Sequence, residues 1–179
     1  MKKLITIALV VSFTTIGFSQ AKQDIKYGVR AGYNISNLDF DPDATFDNQH
    51  RNGFAFGGFA EIPFSEKVFL MTELQWSAEG GKATDIRADY LNLPVQLRYA
   101  ISENLTFGLG PQASLKTWKN RDGFETFTFS AVAGIEYMIT VDIFLDLRYS
   151  YGLTNILDDA AAPFEAKNNN IQIGIGIKI

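Results

Sequence analysis

The sequence predicts an all-β fold, an eight-stranded antiparallel up-and-down transmembrane β-barrel with its apolar face outward. Three observations predict it. Eight segments alternate apolar and polar residues with the two-residue period of a strand. Long connections between them interleave with tight ones, the habit of barrels that cross an outer membrane. The polar face of the segments is rich in glycine and carries charges of both signs.

The first segment, "YGVRAGYNI", sets Tyr27, Val29, Ala31, Tyr33 and Ile35 on one face and Gly28, Arg30, Gly32 and Asn34 on the other. The second, "GFAFGGFAEIPF", is the least regular, because Phe59 shares a face with Glu61. The third, "VFLMTELQWSA", opposes Val68, Leu70, Thr72, Leu74 and Trp76 to Phe69, Met71, Glu73 and Gln75. In the fourth, "LNLPVQLRYAI", the leucines, Val95 and Tyr99 oppose Asn92, Gln96, Arg98 and Ala100. Pro94 removes a ladder donor inside it, so a β-bulge is expected there.

The fifth, "LTFGLGPQASL", alternates Leu105, Phe107 and Leu109 with Thr106, Gly108 and Gly110. The sixth, "FTFSAVAGIEYMI", and the seventh, "VDIFLDLRYSYGL", place Glu136, Asp142, Asp146 and Arg148 on the polar side. The eighth, "IQIGIGIKI", has isoleucine at every odd position from Ile171 to Ile179. Residues 36–52, 79–89, 117–125 and 154–169 read as the long connections; 63–67, 102–104 and the stretch around 138–141 read as the tight ones.

A soluble barrel would hide the apolar face and wet the polar one, and a membrane barrel does the reverse. The small residues decide between them. Water sets no size limit, so a wet face has no need of Gly28, Gly32, Gly57, Gly108, Gly110, Gly134, Gly152, Gly174 and Gly176. The lumen of an eight-stranded barrel is only wide enough for its own side chains. Arg30, Arg98, Arg148 and Lys178 would share it with Glu61, Glu73, Glu136, Asp142 and Asp146, a set that roughly neutralises itself. Tyr27, Tyr99 and Tyr137 near one rim, and Trp76, Phe127, Tyr149 and Tyr151 with Phe54 and Phe56 near the other, form two aromatic belts.

The remaining composition narrows the class. Cysteine is absent from the 179 residues, which excludes disulfides, a thiol nucleophile and acylation at an N-terminal cysteine. The net charge is -4 with no basic run, so no nucleic-acid partner is expected. "MKKLITIALVVSFTTIGFSQ" has two lysines, an apolar run too short to span a bilayer and then small residues. It reads as a secretory signal peptide over residues 1–20, cleaved near Ser19, Gln20 or Ala21, leaving a barrel domain at 21–179. The expected location is the cell outer membrane, with periplasmic termini.

Three segments resemble those of small outer-membrane β-barrel proteins of Gram-negative bacteria, the PorT-like family. They are "YLNLPVQLRY" through Tyr90, Leu91, Leu93, Pro94 and Tyr99, "GLGPQASL" through Gly108, Gly110 and Pro111, and "RYSYGLTNI" through Arg148, Tyr149, Tyr151, Gly152, Leu153, Asn155 and Ile156. The closing strand resembles the C-terminal assembly signal of such barrels through Gln172, Gly174, Ile177 and Ile179, with isoleucine where an aromatic residue is usual. The resemblance implies an outer-membrane barrel, and one namesake assists a protein-secretion apparatus.

Chemistry has little to stand on. The single histidine, His50, lies in the first long connection without a nearby serine to complete a triad. Asp39, Asp41 and Asp43 have the spacing of early calcium ligands, but Ala44 and His50 occupy positions that need glycine and a bidentate glutamate. No catalytic, cofactor-binding or metal-ligating residue is expected, and no enzyme activity. The expected partners are outer-membrane lipid and a protein or surface ligand at the long loops. The alternative is an accessory role in an outer-membrane secretion or transport apparatus. The charged lumen reads as a salt-bridged core, against a second reading as a proton or ion path.

Overall fold

The computed structural model describes residues 24–46, 48–117, 123–158 and 165–179. The predicted signal peptide lies outside them. Eight strands follow one another: β1 (Lys26–Asp41), β2 (Arg51–Pro63), β3 (Val68–Gly80), β4 (Arg87–Ala100), β5 (Leu105–Lys116), β6 (Phe127–Met138), β7 (Ile143–Gly152) and β8 (Glu165–Lys178). Each pairs antiparallel with its neighbours in chain order, and β1 closes on β8 to complete a barrel. The closing seam runs from Gly28 opposite Lys178 to Asp41 opposite Glu165. Mutual bonds between the backbones of Tyr27 and Ile179, at 2.8 and 2.7 Å, finish it.

The predicted faces hold. Outward side chains form an exposed apolar belt: Val29 is 62% exposed, Phe54 69%, Leu109 53% and Ile173 54%. Inward ones are buried although polar, with Arg30 at 3%, Glu73 at 1% and Asn34 at 0%. On β1 the belt runs from Tyr27 to Ile35. Nine residues at about 3.3 Å each, tilted by roughly 40°, give a band about 20 Å tall before side-chain reach is added, near the ~25 Å expected across lipid.

At the long-loop end the strands outrun the sequence reading. β1 continues to Asp41, β4 begins at Arg87 and β8 at Glu165, so the connections at 36–52, 79–89 and 154–169 are shorter than expected. The reason is an inversion of polarity. Beyond Ile35 the outward residues of β1 are Asn37, Asp39 and Asp41, all exposed, while Leu38 points inward and is fully buried. Leu38 packs with Ile156 and Ala166, flanked by Phe40, Ile86, Phe124 and Leu157. Past the apolar belt the barrel becomes a water-soluble one, with a greasy inside and a polar outside.

Two further expectations are corrected. Pro94 makes no bulge. Thr72 pairs with Val95 and Gln75 with Asn92, in one unbroken register, and the β4–β5 register from Pro94–Gln112 to Leu97–Leu109 is likewise constant. The ladder merely skips the pairs around Pro94 and Pro111, both of which lack a donor. Asp142 is not in the lumen; it is exposed in the tight turn before β7 and offers its carbonyl to the Lys178 amide at 2.8 Å.

The three tight turns share one device. Ser65, Ser102 and Thr140 hold the same position in "FSEK", "ISEN" and "ITVD". Each hydroxyl accepts the amide three residues on, from Val68 at 3.1 Å, Leu105 at 3.1 Å and Ile143 at 3.0 Å. The backbone amides of these three residues donate to the carbonyls of the same Val68, Leu105 and Ile143. The side chain thus replaces a backbone bond that so short a turn cannot make.

Candidate functional site

The lumen is filled in layers, each set by which strands bring long side chains to one level. Nearest the tight turns, Arg98 from β4 meets Glu61 at 2.5 Å and Glu136 at 2.7 Å. Lys178 from β8 meets the same two carboxylates, at 3.1 and 2.7 Å. Two cations and two carboxylates close into a neutral ring. Next to it, Phe59, Met71 and Phe144 form a small apolar cluster, with Lys178 Nζ 5.4 Å from the centre of the Phe144 ring. This explains the irregular second segment: Phe59 belongs to the lumen beside Glu61.

A second neutral ring lies deeper. Arg30 from β1 bridges Glu73 at 3.5 Å and Asp146 at 2.8 Å. Arg148 from β7 bridges the same pair, at 2.6 Å to each. Gln172 accepts a bond from Arg30 and donates to Asn34 at 2.7 Å. The glycines are cut to fit these groups. A Cβ on Gly174 would overlap the Asp146 carboxylate and the Arg30 guanidinium, and one on Gly134 would stand 2.8 Å from Arg148 Cγ. Buried charge is tolerated only when paired, and each ring pairs its two cations with its two carboxylates, although Arg30 Nε and Arg98 Nε are left without a hydrogen-bond partner among the described residues.

Above the rings lies an amide and hydroxyl layer. Asn34 donates to Ser77 Oγ at 2.8 Å, and Ser36 Oγ donates to Asn168 at 2.9 Å. Glu79, 3% exposed, accepts from Asn92 at 2.7 Å and Asn168 at 2.5 Å. It is the carboxylate in this layer held by neutral donors instead of by a ring. Sequence reasoning missed it, because the end of the third segment reads as turn. Beside it, a void of about 10 Å³ lined by Ser114, Thr128 and Ser130 has room for a single water. The apolar group around Leu38 and Ile156 covers the layer.

Asp39 and Asp41 stand on the outer face of strand β1, where a calcium loop would have to curl. His50 is exposed and bridges to Gly81 at the loop end. Among the described residues, no cluster of three or more histidine or acidic side chains could hold a metal. The lumen side chains brought together are salt-bridged to one another, and their chemistry is mutual neutralisation.

A closed barrel with lipid-compatible residues outside and paired charges inside defines an integral outer-membrane protein. The chain belongs to the family described as outer membrane protein beta-barrel domain, whose model matches residues 6–178. No curated protein matches it by sequence. Among solved structures it is similar to Ail, the attachment invasion locus protein of Yersinia pestis, with 14% identity and a TM-score of 0.57 over 88% of this chain and 100% of that one. It is also similar to Neisserial surface protein A, with 13% identity and a TM-score of 0.54 over 87% of this chain and 97% of that one. Ail has been crystallised in complex with the heparin analogue sucrose octasulfate, in a structure 16% identical with a TM-score of 0.53, covering 88% of this chain and 100% of that one. At these identities the likeness speaks to the fold.

Proposed function

We propose that the chain is exported by its signal peptide and sits in the outer membrane with periplasmic termini. Its lumen is plugged, and its long-loop end forms a platform for a surface ligand or partner. The observation that supports this reading is the pair of neutral salt-bridge rings stacked under the amide layer, which fill two levels of the lumen with paired side chains. A plugged barrel moves nothing through itself, so its contacts are made at its rims and loops. A polyanion complex of a barrel with the same fold, Ail, is compatible with that use of the surface. The hydrophobic seam of β8 supports membrane assembly, because Ile171, Ile173, Ile175 and Ile177 all face outward and exposed.

The secretion-accessory alternative draws on the PorT-like motifs, and these have structural duties. Tyr90 is 1% exposed, and Arg148 completes a lumen ring. Asn155 Oδ1 accepts the amides of Leu157 at 3.0 Å and Ala166 at 2.9 Å. Residues occupied in this way favour the platform reading over a machine interface. The test is conductance of the purified chain in planar bilayers. A plugged barrel gives a baseline trace with rare, brief openings; steady open channels would overturn the reading.

A further inference from the structure

At the long-loop end, a cavity of about 350 Å³ opens between the start of β2 and the β3–β4 connection, lined by Gln49, His50, Arg51, Asn52, Lys82 and Arg87. Three permanent cations and a histidine converge on it in a chain whose 20 carboxylates outnumber its 16 lysines and arginines. The cluster is therefore local, not a by-product of a basic composition. Its groups are held in place. Lys82 Nζ donates to Gln49 Oε1 at 2.6 Å, and Arg87 Nε donates to the Lys82 carbonyl at 3.1 Å. The His50–Gly81 bridge and a 3.0 Å bond from the Lys82 amide to the Gln49 carbonyl tie the two segments together. Arg51 Nη1 reaches the Glu79 carbonyl at 2.6 Å and Asp89 Oδ1 at 2.9 Å. Glu79, Asp85 and Asp89 lie nearby and match the three cations in number, but none of them lines the cavity.

Height on the barrel selects the ligand. Asn52 continues the outward row of Phe56 and Phe54, which are 59% and 69% exposed, and Phe56 packs on Trp76 with ring centroids 5.3 Å apart. Arg87 continues the outward row of Leu93 and Leu91 on β4. The cavity thus stands immediately above the aromatic belt, where lipid headgroups lie. The Asn52 amide, which also lines the cavity, can add hydrogen bonds to the charge. Acidic headgroups are drawn to such clusters by about 1 kcal/mol per basic residue near the surface. We propose that this cavity binds a phosphate monoester, supplied by a phosphorylated glycolipid of the surrounding leaflet.

Native mass spectrometry tests the proposal on the mature chain released from nanodiscs. The discs contain neutral phospholipid with a small fraction of bis-phosphorylated glycolipid, or of the same glycolipid with its phosphates removed. Placing the lipid in both leaflets makes the result independent of which way the barrel is inserted, so it can fail without touching the orientation proposed above. The expected result is selective retention of the phosphorylated form, reduced about 30-fold in the Lys82→Gln/Arg87→Gln double variant, the equivalent of two basic residues. Heat-modifiable migration on a gel verifies that the variant is folded. Equal retention of both glycolipids, or no loss in the folded variant, overturns the proposal. Inorganic phosphate bound as tightly as the phosphorylated glycolipid would overturn the lipid as occupant and assign the site to soluble phosphate.

Discussion

Arg30 and Arg148 share the same two carboxylates, Glu73 and Asp146, so each residue of that ring neutralises two others. Glu79, by contrast, is held by the amides of Asn92 and Asn168. The two buried glutamates should therefore respond differently to loss of charge. Glu73→Gln strands two guanidiniums around one carboxylate and is expected to destabilise the folded barrel by about 3–5 kcal/mol. Glu79→Gln keeps one acceptor oxygen but sets an amide NH2 against one of the two donors, Asn92 or Asn168, without stranding a charge, and is expected to cost less, about 1–2 kcal/mol. Urea unfolding in lipid vesicles, read by tryptophan fluorescence, compares them; equal losses would contradict the ring assignment. Residue identity told which face each charge takes, since parity along a strand is decisive. It could not tell partners, because Arg30 and Asp146 are 116 positions apart and come together only when β8 closes on β1. Asp142 was misplaced for a related reason: parity continues on paper through a turn that the chain uses to reverse.

The strands were legible wherever lipid is the solvent and illegible where water takes over. "SNLDFD" in β1 keeps strand geometry but swaps its faces, so a search for one apolar side stops at Ile35. The swap marks the level of the headgroups and can be tested with a charge. Leu109→Arg, in the middle of the belt, is expected to cost about 2–4 kcal/mol, whereas Asn37→Arg, two residues past Ile35, is expected to cost less than about 1 kcal/mol. Folding free energies in vesicles decide it; similar costs would put the interface elsewhere. The tight turns carry a second element-level expectation. Ser102→Ala removes the hydroxyl that accepts the Leu105 amide at 3.1 Å and should lower stability by about 0.5–1.5 kcal/mol, with a comparable loss for Thr140→Ala. Glycine-for-glycine reasoning also succeeded at this scale, since Gly134 and Gly174 leave room for Arg148, Arg30 and Asp146. Pro94 misled because two prolines face the same stretch of ladder, and the barrel skips the bonds there without inserting a residue.

For the whole molecule, fold and membrane class follow from three things visible in the sequence: alternation, loop lengths and a crowded polar face. The candidate sites were harder to read. Glu79 hides at a strand end, and the cation cluster is assembled from two segments about 30 residues apart in sequence, Gln49–Asn52 and Lys82–Arg87. Neither is a motif; both exist only through the pairing of β2 with β3 and of β3 with β4.

The membrane assignment depends on the direction in which the apolar belt faces. The chain has no native cysteine, so single cysteines introduced at Leu109 and Asn37 can each carry one spin label without background. Collision rates with oxygen and with a water-soluble nickel complex, measured in vesicles, report lipid and water respectively. The expected result is a label at position 109 reached by oxygen and shielded from nickel, and a label at position 37 with the reverse preference. A nickel-accessible label at position 109 in the folded barrel would contradict the account.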